Sequence, residues 1–410
     1  MLRRGAFMIA RNHRAAGRAA VLALLVCACW FSATVHADRI DIGPLDAIEP
    51  AEHQLTIREA IDGAGSGRHS FVFAPGDYSF TDPAGVRIPG NSTVHLEGAR
   101  ILWSDAVEAD GQTFVLEDVS NVQFIGGEIV GRRDAWDPGV NVAGIRATGE
   151  CHRIRITDLV CRDLTSNAFG FFGTAEAPMS EIELVRVRGY NCCNFYGDYL
   201  SEQSGPAKNS VREDQGTVAM YHVNDWLVDG CWFEGSQSDG THFYFSHRGR
   251  FVNSVVRGSQ MGGYFLEGCK DVIAANNHID HNGSRGCTIE RNSRDCLLVN
   301  NIVSNSGREG LWAPDVAGIL VQNNIFRTNG RKDDAEKDCE IRLDEGDKYE
   351  VETRDIRIEG NLFYTTPEQT AAIFLSDGVV DVVVGESTFH GDAQPVHVTE
   401  ETRKANTVRP

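Results

Sequence analysis

Lysine is scarce in this chain, six of 410 residues, and basic side chains of both kinds number 39 against 58 acidic ones, a formal charge of −19. A surface of that sign repels phosphate backbones and anionic lipid, which excludes nucleic acid and charged membranes as general partners. Long apolar runs are equally few. The longest, Ala19 to Phe31, has 13 residues, too short to span a bilayer, and no later segment approaches that length, so no membrane span is expected. Cysteine numbers 11, but no Cys-x-x-Cys and no zinc-ligand spacing occurs. The nine beyond residue 37 cannot all pair. They read as small apolar core residues, with one or two disulfides as the alternative in an oxidising compartment.

Five arginines precede the apolar run, and Val35-His36-Ala37 follows it. That order of basic, apolar and small residues predicts a secretory signal cleaved after Ala37, hence a secreted or periplasmic protein. The remaining chain would carry 34 basic and 58 acidic residues.

What the sequence does have is a repeat. Aligned on Gly230, Ser254, Asn277, Asn301, Asn324 and Asn361, similar segments recur at steps of 24, 23, 24, 23 and 37 residues. A second series, Gly240, Gly262, Gly286 and Gly310, keeps steps of 22, 24 and 24. Each unit holds short β-branched and apolar runs separated by Gly and Asn, which tolerate the left-handed backbone of tight corners. A coil of this kind cannot bury its apolar face alone, so neighbours must stack. The expectation is an all-β solenoid, a parallel β-helix. One short amphipathic helix, Thr56–Ile61, would cap its N-terminal end, and the strand and turn of Ser70 to Tyr78 follow it.

A helix containing Ala60-Ile61, then a strand ending in Pro75-Gly76-Asp77-Tyr78, then asparagine-punctuated coils, resembles the pectin-lyase-like superfamily of right-handed β-helix proteins. The resemblance covers residues 55 to about 390 and implies a fold rather than one reaction, because the superfamily holds lyases, polygalacturonases, epimerases and phage tailspikes. The predicted organisation is a signal at 1–37, one β-helix domain at 38–390 and a polar tail at 391–410. Gly131–Val142, Tyr196–Gln215 and Gly330–Glu352 interrupt the coils as loops, either walling a groove or simply solvated.

Counting from the aligned glycines, strand alternation makes His242, Tyr264, Thr288 and Trp312 an outward column, one per coil. Aromatic rings in such a column suit a polysaccharide lying along the axis, unless loops cover them as a secondary core. Between His247 and Glu309, basic residues outnumber acidic ones eight to six, a cationic strip in an acidic chain that fits a uronate-rich polymer. β-Elimination on such a polymer needs a cation, a base and an acid. The candidates are Arg285 or Arg248 for the carboxylate, His242 or His247 for the proton, and Tyr244 or Tyr264 for the leaving oxygen. Many lyases of the superfamily use calcium, for which Asp333, Asp334, Glu336 and Asp338 could supply oxygen ligands. The alternative reaction is glycoside hydrolysis by Asp239 with Glu290 or Glu309. The polygalacturonase motifs and the Asp-Pro-His-Asp signature of mannuronan epimerases are missing. A non-catalytic glycan-binding surface protein is the third alternative.

Overall fold

The computed structural model describes residues 37–44, 48–137, 139–196, 208–209, 215–332, 338–346 and 351–409. Residues 1–36 of the expected signal segment, and Asp333, Asp334 and Glu336, lie outside the described residues. Apart from the two-stranded pair Phe195–Tyr196 with Lys208–Asn209, the strands gather into one 15-stranded and two 12-stranded sheets, in which every pairing is parallel and each strand lies beside its counterpart one coil away. In the regular half, the chain passes from the first sheet (Leu227–Asp229) to the third (Trp232–Glu234), then to the second (Thr241–Tyr244), and returns to the first (Arg250–Val252). Register repeats faithfully: Leu227 faces Arg250, then Ile273, Leu297 and Leu320.

Side-chain alternation fills the interior with one residue per sheet per coil. Val228, Phe251, Ala274, Leu298 and Val321 form one such column, and Phe233, Val256, Ile279, Val303 and Phe326 another, all buried. At the corner between the first and third sheets, paired asparagines divide two tasks. Asn276, Asn300 and Asn323 take the left-handed turn, with φ of 56–59°. Their neighbours Asn277, Asn301 and Asn324, with Asn361 after Gly360, are buried and form a ladder in which each of the first three side-chain amides donates to the next coil's Oδ1 at 2.9–3.1 Å. The ladder satisfies polar groups that would otherwise be orphaned in an apolar core.

The ends are closed. The helix His53–Asp62 begins three residues earlier than the sequence suggested, buries Ile57 and Ile61, and packs against the terminal strand of each of the three large sheets. Gln54 pins it, accepting from the Thr81 and Asp82 amides and donating to the Asp82 carbonyl. The C-terminal segment is not the polar tail expected. Gln394–Val398 pairs with Ala371–Leu375, and Thr407–Val408 pairs with Val380–Val384. The helix Glu400–Ala405 between them is capped by Thr399. Backbone pairing and a few apolar contacts from Phe389, Val396 and Val408 suffice for a last coil whose side chains otherwise face water. Likewise, Gly330–Glu352 contains a regular strand, Cys339–Asp344, in the second sheet. The Gly131–Val142 loop is anchored by buried Trp136, edge-on to Trp103. All nine described cysteines are buried. Among the described residues no helix is long and apolar enough to cross a membrane.

Candidate active site

The second sheet turns its outward face to the side opposite the core, and its position is set by a glycine in each coil. These are Gly240, Gly263, Gly286 and Gly310: a Cβ on any of the first three would meet the next one's carbonyl oxygen at 2.7–2.8 Å. The aligned glycine is therefore Gly263, not Gly262, and the correction reverses the side of every residue in that strand. Tyr264 pairs in register with Cys287 and lies inside, fully buried against Phe251 with ring centroids 5.0 Å apart. Burial pushes its phenol far above the usual tyrosine range. It is a core residue and reaches no substrate. Its place in the outward column belongs to Phe265, whose ring stacks on His242 at 4.5 Å and 4°.

Two outward columns result. One runs Ala219, His242, Phe265, Thr288, Trp312, Arg342, Phe374 and His397; the other runs Phe172, Tyr221, Tyr244, Glu267 and Glu290. A chain of polar contacts climbs them. Tyr221 Oη lies 3.0 Å from His242 Nδ1, and His242 Nε2 lies 3.5 Å from Glu267 Oε2. Arg291 bridges Glu267 and Glu290, each at 2.9 Å. His242, Glu267 and Glu290 are buried, whereas Tyr244 and Arg291 are half-buried. His242 as a base acting directly on a polymer is thereby corrected, because its ring has no exposed surface.

Asp239 and Glu309 precede their glycines and are also buried. Asp239 Oδ1 accepts from the Gly262 amide at 2.8 Å, while Oδ2 has no hydrogen-bond partner among the described residues. Burial, opposed by that amide and reinforced by the charge of Glu290, lifts its carboxyl to about 7. Arg285 reaches Glu309 at 3.3 Å and lies 3.7 Å above the Trp312 ring. Trp312 Nε1 donates to Asp344, which also holds Arg342; Arg342 in turn lies over Phe374.

The face thus gathers His242, Tyr244, Asp239, Arg285, Glu290, Glu309 and Trp312. It does not include Arg248 or His247, which sit at the corner leading into the first sheet. Arg248 makes a bidentate pair with Asp225, and the His247 ring accepts from the Lys270 amide. Burial, with help from Lys270 and Arg248, lowers the His247 pKa, so it stays neutral. Tyr221, Phe265, Glu267, Arg291 and Arg342 were not foreseen; aligning on Gly263 would have revealed Phe265 and Glu267. Among the described residues, no group of three His, Cys, Asp or Glu side chains is placed to hold a metal ion.

Residues 216–409 match the family described as the right handed beta helix region. The fold is a right-handed parallel β-helix. No curated protein sequence matches the chain, but solved β-helices do. The A-module of the mannuronan C-5 epimerase AlgE4 of Azotobacter vinelandii superposes with a TM-score of 0.66 at 16% identity, covering 87% of this chain and 96% of that one. The Dettilon tailspike protein gives 0.63 at 16%, covering 90% and 70%. PfbA, a surface adhesin of Streptococcus pneumoniae, gives 0.63 at 12%, covering 88% and 93%. At such identities the likeness shows the β-helix alone.

Proposed function

We propose that this chain is an exported β-helix protein that takes an acidic polysaccharide along the outward face of the second sheet and cleaves it by β-elimination at uronic acid residues. The observation that carries the reading is the Arg285 guanidinium held 3.7 Å above Trp312 on the same face as the Tyr221, His242 and Tyr244 side chains. A cation fixed on an aromatic plane offers a carboxylate partner and a stacking surface together. A carboxylate neutralised in this way makes the neighbouring C5–H acidic, and a phenol beside it protonates the departing O4. The fold is shared with an enzyme named as a mannuronan C-5 epimerase, and C5 epimerisation and β-elimination both begin by removing that proton.

The test is ultraviolet absorbance of the unsaturated uronate product, with the protein beginning at Asp38 mixed with several polyuronates, with and without calcium. A rise establishes elimination and names the polymer. A flat trace with changed C5 configuration indicates epimerisation, and glycan binding without chemistry indicates a surface protein. One observation favours a second reading, hydrolysis: a carboxyl that keeps its proton to about 7, as Asp239 does, suits a general acid paired with Glu290 or Glu309. New reducing ends without unsaturation would favour it.

A further inference from the structure

The proposed elimination needs two proton-handling groups, and their placement constrains the sugar. Tyr221 and Tyr244 occupy the same outward column one coil apart, with ring centroids at 5.0 Å. Together with Phe172 and Ala219 they form a small apolar cluster on the face. Behind them, buried His242 contacts the Tyr221 hydroxyl through Nδ1 and faces Glu267 through Nε2. With the imidazole proton on Nε2 toward that carboxylate, Nδ1 accepts from the phenol. This is the order of a triad in which a carboxylate orients a histidine that activates a hydroxyl, with a phenol as the activated group.

We propose that Tyr221 is the base and Tyr244 the acid of a syn elimination, with His242 and Glu267 as positioning residues, and that the substrate is therefore a chain of mannuronate or glucuronate type. This rests on the elimination reading above. The Tyr221 hydroxyl passes its proton to His242, and Glu267 balances the imidazolium. The phenolate takes the C5 proton, the C–H pair becomes the C4=C5 double bond, and the C4–O4 bond breaks with its pair on O4. That oxygen takes the Tyr244 proton, and exchange with water discharges the imidazolium and the Tyr244 phenolate. Both groups stand on one sheet face, so both reach the sugar from one side. Mannuronate and glucuronate carry H5 and O4 on the same side of the ring; galacturonate and guluronate carry them on opposite sides. The charged and titratable groups around Tyr221 are Arg146, which lies over Phe172, with His222, His242 and Tyr244 beside it, and Glu267, Glu290, Arg291 and Asp239 along the next coils.

The test compares rates of unsaturated product formation by the full protein on the four polyuronates. Mannuronate or glucuronate polymer should be cleaved at least about 10²-fold faster than galacturonate or guluronate polymer. Tyr221→Phe and Tyr244→Phe should each lose about 10³-fold in kcat, and His242→Gln should lower kcat and move the acid limb of the pH profile while leaving KM unchanged. Ultraviolet titration without substrate gives a readout independent of turnover. One tyrosine should ionise below the ordinary phenol range in the unmodified protein, and that step should be absent in Tyr221→Phe and raised in His242→Gln and Glu267→Gln. Preferred cleavage of galacturonate or guluronate would overturn the inference while leaving the elimination reading intact, as would an unchanged phenolate step in Tyr221→Phe. Failure on every polymer would sink the elimination reading first.

Discussion

Two sets of buried polar side chains run along the same stack of coils, and they differ in how completely they are satisfied. At the corner between the first and third sheets, each ladder asparagine both donates and accepts, so that Asn301 alone takes part in contacts to Asn277, Ala274 and Asn324. On the second sheet, by contrast, Asp239 keeps one oxygen without a partner and Glu309 another, among the described residues, and carboxylates crowd beside arginines. A satisfied network specifies one packing and does little else. An unsatisfied one stores electrostatic free energy that only chemistry or a ligand recovers, which is why perturbed groups mark sites.

Breaking the satisfied side should have the largest effect. Asn301→Leu removes four side-chain hydrogen bonds and orphans the groups that made them, so a loss of about 3 kcal/mol or more is expected in denaturant melts. A loss below about 1 kcal/mol would mean that water replaces the ladder. On the other side, Asp239 is protonated in the fold up to about 7, against an ordinary aspartate value of 3.8. Between those two values the unfolded chain binds fewer protons than the native one. Stability therefore falls as pH rises from about 4 to about 7, by up to about 1.4 kcal/mol per pH unit. Glu340, also buried and lifted to about 7, adds to the same slope. Asp239→Asn keeps the acceptor for the Gly262 amide and places its new donor where no partner is displaced. Melts across that range should show a shallower slope, and an unchanged slope would assign it elsewhere.

A smaller effect tests the binding face. Arg285→Ala should raise KM for an acidic polymer about tenfold, worth about 1.4 kcal/mol, with Trp312→Ala similar in direction. A neutral polymer should be indifferent to the first change. Smallest of all, the exposed bidentate pair of Arg186 with Asp158 should show a coupling below about 1 kcal/mol in a double-mutant cycle, despite its good geometry.

The coils were legible because their spacing is a backbone property: Gly and Asn recur wherever a corner needs a left-handed residue. The capping helix was legible for its apolar period. What failed was register at one position. Gly262 and Gly263 are adjacent, and choosing the wrong one reverses every side chain of that strand. Counting from Gly262 puts Tyr264 outside and Phe265 inside, which hides the contact from His242 to Glu267. The last coil was missed for another reason, since a terminal strand is held by backbone bonds and needs little apolar sequence. His247 and Arg248 were grouped with the site by proximity along the chain, although a corner separates them from it.

Near-identical coils give the molecule a built-in ruler. Each adds one strand spacing, about 4.8 Å, so Tyr244 and Trp312, three strands apart in the second sheet, stand a fixed multiple of that length from each other. Duplicating one regular unit, such as residues 277–300, would insert a graduation between them without disturbing either, and the shortest oligosaccharide that engages both would lengthen accordingly.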